Sequence, residues 1–159
     1  MKPWNLRPPD VARLFNPAFC GRLLAHAVVE HRPEPVPFAL VPLILPLVLH
    51  RKTRESLPTS VRSPFITWVE ENAEVRIGLA DRVARALPVT RESLLFMTSR
   101  GWLSFERGAV SAPQPRPPHT RPRDTDEIKD CILKARLIGR WLAHAGRPAT
   151  IYAALAITP

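Results

Sequence analysis

The sequence predicts a mainly α-helical chain with one small β-hairpin, an α+β domain whose helical body contains a winged-helix-like unit. Three observations predict it. Apolar residues recur at steps of three and four in several separate stretches; prolines and glycines fall at the ends of those stretches; and residues 102–111 alternate apolar with polar about Arg107-Gly108. At 159 residues the chain is expected to fold as a single domain, burying about two-thirds of its unfolded surface.

The elements follow in order. Pro8 and Pro9 open a short helix that ends before Asn16. Asn16-Pro17 then reads as N-cap and first helical residue, because the cap side chain satisfies an orphan N–H and proline has none to satisfy. Phe19, Leu23, Leu24, Ala27 and Val28 give that second helix its apolar face as far as Glu30. The longest apolar run, Val36 to Leu49, is 14 residues with Pro37, Pro42 and Pro46 inside it; this is shorter than the ~20 residues of a membrane span. It is expected to be core, kinked or late in starting as a helix.

Ser63-Pro64 begins a helix running to about Asn72, and a second follows from Glu74 with Val75, Leu79, Val83 and Leu87 as its stripe. Pro88 should stop it. Thr90 then caps a third helix, Arg91 to Arg100, with Gly101 as the left-handed residue beyond its end. With the hairpin after it, the stretch 64–112 reads as the winged-helix-like unit. A Pro/Arg-rich flexible linker is expected over 113–125, and a closing helix and terminal strand over 126–159. Asp124 and Glu127 stand at capping-box spacing, and Ala149 to Ile157 is rich in residues that favour strands.

Composition excludes several functions. Among six glycines there is neither GxxxxGK(S/T) nor GxGxxG, so the phosphate cradle of an ATPase is missing. The five histidines show no HExxH spacing, and no metal or cofactor is expected. Cys20 and Cys131 lie on apolar helix faces, where a thiol is buried, free and inert; no catalytic residue is assigned. The amino terminus lacks a leader-like apolar segment, and a cytoplasmic protein without membrane contact is expected.

The net charge of +9 points to an acidic partner. Two places concentrate it. His50, Arg51, Lys52, Arg54 and Glu55 follow the apolar run directly. They read either as a solvated turn or as a docking surface on which Arg54 forks onto a partner carboxylate or phosphate while Glu55 holds it. On the closing helix, Lys129, Arg136 and Arg140 project within ~40° of one another. That stripe is a solvated face, a seat for an acidic protein, or a contact to a nucleic-acid backbone. Residues 91–100 hold four consecutive apolar residues and only Arg91 and Arg100 as cations, a poor reader of base edges. Trp68, Trp102 and Trp141 read as core, and Trp4 as an anchor for a partner.

Several segments together resemble one family. They are Asn16-Pro17-Ala18-Phe19-Cys20-Gly21, Phe38 to Leu40 with Leu47 to His50, Thr53-Arg54-Glu55-Ser56-Leu57-Pro58, Glu74 to Gly78, Lys134 to Trp141 and Ala149 to Tyr152. The family is the middle component of the three-component ABC-ATPase (ABC-3C) systems of prokaryotic conflict and anti-phage loci, to which Lamassu-type defence systems are related in plan. The chain departs from it where Lys52 follows Arg51, a place for Lys-Pro. The resemblance implies a non-catalytic winged-helix adaptor between an ABC or SMC-like ATPase and an effector subunit. Its partner-binding residues would be His50, Arg54, Glu55, Lys129, Arg136 and Arg140, with nucleic acid met through the complex. The rival reading is a nucleic-acid-binding winged-helix regulator; a spatially assembled Cys-His enzyme is the third.

Overall fold

The computed structural model describes residues 15–113 and 124–158. The helix opened by Pro8 and Pro9, the Trp4 anchor and all but the ends of the proline-rich linker lie outside the described residues. Within them the chain is mainly helical with a small antiparallel sheet.

Helix α1 (Pro17–Glu30) starts as its sequence predicts: Asn16 Oδ1 accepts the Ala18 N–H at 2.8 Å, and Pro17 follows the cap. Every residue from Cys20 to Val28 is buried. A helix covered on all sides is a central helix, and α1 packs against both of the long helices that come later in the chain. After strand β1 (Val36–Pro37) and a 3-10 turn (Phe38–Leu40), helix α2 (Val41–Leu49) carries the apolar run through the core. Pro42 occupies its first turn and Pro46 its interior, so the late start expected from the prolines is what occurs. Helix α3 (Arg51–Ser56) comes at once, where the charged run reads as a turn or a docking surface.

Helix α4 (Phe65–Glu71) supplies Phe65 and Trp68 to an aromatic cluster. Trp141 meets Phe65 edge-on at 5.2 Å and Trp68 at 5.1 Å between centroids. Both indole N–H groups find carbonyls, Trp68 on Ser56 and Trp141 on Ser63, as buried tryptophans require.

A second 3-10 turn (Ala73–Arg76) leads to Gly78, at φ 64°, and helix α5 (Leu79–Ser99). Here the structure corrects the sequence. The helix does not stop at Pro88, and Thr90 caps nothing. Pro88 and Ala84 both face water, so the carbonyl that loses its donor is at the solvent side and the helix runs on. The Thr90 hydroxyl instead donates to the Ala86 carbonyl at 2.9 Å. The two helices expected between residues 74 and 100 are therefore a 3-10 turn and one long helix, and the winged-helix-like unit lacks its helix–turn–helix half.

The hairpin is present. Strands β2 (Ser104–Glu106) and β3 (Ala109–Ser111) pair Phe105 with Val110, and Arg107 and Gly108 both take positive φ, the two-residue turn that matches strand twist. Strand β1 joins the other side of β3, giving the order β1-β3-β2. On this sheet Phe38 and Phe105 meet edge-on at 5.1 Å.

Helix α6 (Asp126–His144) is capped by Thr125, whose side chain accepts the Ile128 N–H, rather than by Asp124. The terminal strand is a second correction: Pro148–Ala154 forms helix α7. Pro148 sits in its first turn, a helix-start signal that outweighs the β-branched composition. Ile151 and Leu155 bury one face, and Tyr152 Oη donates to the Ala39 carbonyl at 2.6 Å.

Helices α1 and α6 approach closely at Gly139. A Cβ built on Gly139 would fall on the Ala27 carbonyl oxygen, with the Ala27 carbon at 2.8 Å and Cα at 2.9 Å. On the other side of α1, Gly21 faces Met97 of α5; a Cβ there would lie 2.5 Å from Cγ and 2.8 Å from Sδ. Between these crossings Arg22 of α1 reaches Asp124 in a two-pronged pair at 2.9 and 2.7 Å, both side chains less than a tenth exposed.

Candidate partner-binding surfaces

Helix α3 begins on a histidine cap. His50 Nδ1 accepts the Thr53 N–H at 3.3 Å and lies 2.8 Å from the Thr53 hydroxyl. With Nδ1 accepting, the neutral ring carries its proton on Nε2. Burial, then the charges of Arg82 and Lys52, depress the His50 pKa.

Arg54 makes the forked contact expected of it, but inside the chain. Its Nε donates to Asp130 at 2.8 Å, Nη2 to Glu127 at 2.9 Å and Nη1 to the Val48 carbonyl at 3.1 Å. The side chain is 6% exposed, whereas Glu127 is largely open to water and Asp130 is half-exposed. Arg54 thus ties α3 to the first turns of α6, and Glu55 does not hold it. Glu55 pairs with Arg51 at 2.7 Å on the exposed side of α3. The hydrogen bond from Arg51 holds the Glu55 carboxyl below its usual pKa.

Arg82 of α5 faces α3 across a cleft of about 570 Å³. Its two Nη groups donate to the Ile77 and Val75 carbonyls at 2.7 and 2.9 Å, which fixes the guanidinium without giving it a counter-ion. Burial and then the Arg85 charge lower its pKa. His50, Lys52 and Glu55 line the α3 side; Glu74, Val75 and Ile77 line the other.

The stripe on α6 is a second surface. Arg136 Nε and Arg140 Nη1 converge on one carboxylate, Glu30 at the end of α1, at 2.7 and 3.0 Å. Two guanidiniums on one carboxylate leave one positive charge in excess. Lys129 pairs with Asp126 at 2.9 Å. Leu133, four residues after Lys129 and three before Arg136, is 60% exposed in the middle of the stripe. Lys134 lies off it, its ammonium donating to the Leu57 and Pro58 carbonyls.

Burial works against the Glu30 carboxylate, but the hydrogen bonds and charges of Arg136 and Arg140 outweigh it and hold the pKa below 4.5. A carboxyl lowered by folding contributes stability that is complete above its unfolded pKa and lost as pH falls through the folded one. Acidification below pH 4.5 should therefore cost the natural protein about 1 kcal/mol more than the Glu30→Gln variant, the scale of a partly exposed pair. Urea titrations at stepped pH measure the difference.

The structure brings His50 and Glu55 to the cleft and Lys129, Arg136 and Arg140 to the stripe, and it places Arg54 behind the first. Sequence reasoning missed Arg82, Glu74 and Ile77 as cleft residues and Glu30 as the stripe's counter-ion. Positions 30 and 136 are 106 apart in the chain, and nothing in local spacing signals such a pair.

Cys20 and Cys131 are buried, as expected, and form no disulfide among the described residues. Burial, with a smaller push from Cys131, raises the Cys20 pKa to about 12. Such a thiol stays protonated and is no nucleophile near neutrality. No helix among the described residues is long and apolar enough to cross a membrane.

The family model described as ABC-three component (ABC-3C) system Middle Component 3 matches residues 4–159. No curated protein matches the chain. No solved structure matches it either.

Proposed function

The chain belongs to the Middle Component 3 family of ABC-three component systems, and from that premise we propose that it is a non-catalytic, cytoplasmic adaptor bridging an ABC or SMC-like ATPase and an effector in a prokaryotic defence complex. The observation that supports this reading is a pair of exposed patches on different elements that suit docking. Each sets an exposed aliphatic side chain, Ile77 at 73% and Leu133 at 60%, among charged groups. An apolar spot ringed by polar groups is the usual anatomy of a protein interface.

His50 and Glu55 act on the cleft surface, and Lys129, Arg136 and Arg140 on the stripe. Arg54 works from behind, fixing α3 against α6 so that the two surfaces keep their relation. Contact with nucleic acid belongs to the complex as a whole. In favour of protein contact, Leu95 is 72% exposed on α5, where a base reader would present a polar side chain.

Coexpression with the neighbouring subunits tests the bridge. Arg136→Glu with Arg140→Glu should weaken one partner at least tenfold, about 1.4 kcal/mol, and Ile77→Glu should weaken the other. Both variants should keep the helical spectrum of the natural chain. Failure of the natural chain to copurify with two different subunits would end the adaptor reading.

A further inference from the structure

The cleft between α3 and α5 is polarised in a way that specifies its occupant. Lys52 is exposed and makes no ion pair among the described residues. Arg82 spends its Nη donors on backbone carbonyls and faces no carboxylate partner among those residues either. His50 accepts at Nδ1, which leaves its ring proton on Nε2, and it lines the cleft. Of the two acidic residues in the lining, Glu55 is already held by Arg51, which leaves Glu74 alone against two uncompensated cations. Beside these groups Val75 and the exposed Ile77 provide an apolar wall.

We propose that this cleft, about 570 Å³ in volume, receives a peptide segment of another subunit in which a carboxylate stands next to a large aliphatic or aromatic side chain. The carboxylate is met by Lys52, Arg82 and His50 Nε2, and the apolar side chain lies against Val75 and Ile77. A nucleic-acid backbone fits less well. Against a run of phosphates the Ile77 wall would have nothing to bury. The inference rests on the adaptor reading and names the partner chemistry of one of its two surfaces. Burial first, and then the charges of Arg82 and Lys52, lower the His50 pKa; a carboxylate bound beside it would favour the imidazolium and raise it.

The experiment presents the full-length chain to an array of short overlapping peptides tiling the other subunits encoded with it, beside a single-stranded oligonucleotide of matched charge. Captured peptides are expected to carry Asp or Glu beside Leu, Ile, Phe or Trp. Capture should fall about tenfold in Lys52→Glu and in Ile77→Ser and survive in Lys52→Arg. The His50 titration midpoint, followed by NMR, should rise when a captured peptide is added. The proposal is overturned if no peptide is captured, if captured peptides lack acidic residues, if both variants bind as the natural chain does, or if the oligonucleotide alone binds in a Lys52-dependent way. Copurification that persists in Lys52→Glu and Ile77→Ser sinks this inference and leaves the bridging role standing; absence of copurification by the natural chain sinks the bridging role itself.

Discussion

Replacing Gly139 with alanine should cost about 3–5 kcal/mol, with a fall in Tm of about 10 °C or failure to fold. The new Cβ would land on the Ala27 carbonyl oxygen, with the carbon and Cα of the same residue within 2.9 Å. What it meets is backbone in the middle of a buried helix, so no rotamer change can make room. Either α1 and α6 move apart, opening space along the packed interface, or the strain stays. Shortening the neighbour to Ala27→Gly should give no rescue, because the clash does not involve the alanine methyl. Gly21→Ala provides the contrast. Its Cβ would press on Met97 Cγ and Sδ, the flexible end of an unbranched side chain that can swing aside, and a loss of about 1–2 kcal/mol is expected. Thermal and urea unfolding of the two variants would check the order; equal losses would mean that the α1–α6 approach is looser than described.

The second large effect is at the pair between Arg22 and Asp124. Both side chains are less than a tenth exposed, so removing one takes the two-pronged counter-charge away from the other where water reaches it poorly. Asp124→Ala should cost about 3–5 kcal/mol. Replacing both, as in Arg22→Met with Asp124→Leu, should be close to neutral, since the desolvation cost of two charges disappears together with their attraction. A double-mutant cycle in urea separates the two cases. Added salt distinguishes this pair from those on the surface. The natural chain should keep the Arg22 contribution at high ionic strength, whereas the pairing of Arg136 and Arg140 with Glu30, partly open to water, should weaken. A marked salt sensitivity of the Arg22 coupling would contradict its burial.

Local signals made much of the fold readable. Asn16-Pro17 placed the start of α1, Arg107-Gly108 placed the hairpin, and the apolar face carrying Cys131 marked α6 as a helix packed on the core. The two errors have separate causes. Pro88 is a helix breaker only where its ring or the freed carbonyl is buried, and at the water face of α5 neither is. Ala149 to Ile157 looks like a strand by composition, yet Pro148 and the face made by Ile151 and Leu155 turn it into a helix. For the docking surfaces, the sequence marked the charge clusters but not their in-chain partners. Arg54 is the clearest instance. Its side chain was legible as a forked donor, whereas the acceptors, Glu127 and Asp130, lie 73 and 76 positions away, where only the completed fold brings them within reach.

The seat of Met97 against Gly21 makes that residue a natural spectroscopic sentinel. The chain has two methionines, Met1 and Met97, so labelling methionine methyl groups gives one resonance from the terminus and one from the heart of the helix crossing. The chemical shift and relaxation of that single methyl would register a shift of α1 against α5 when a subunit docks, without any engineered probe.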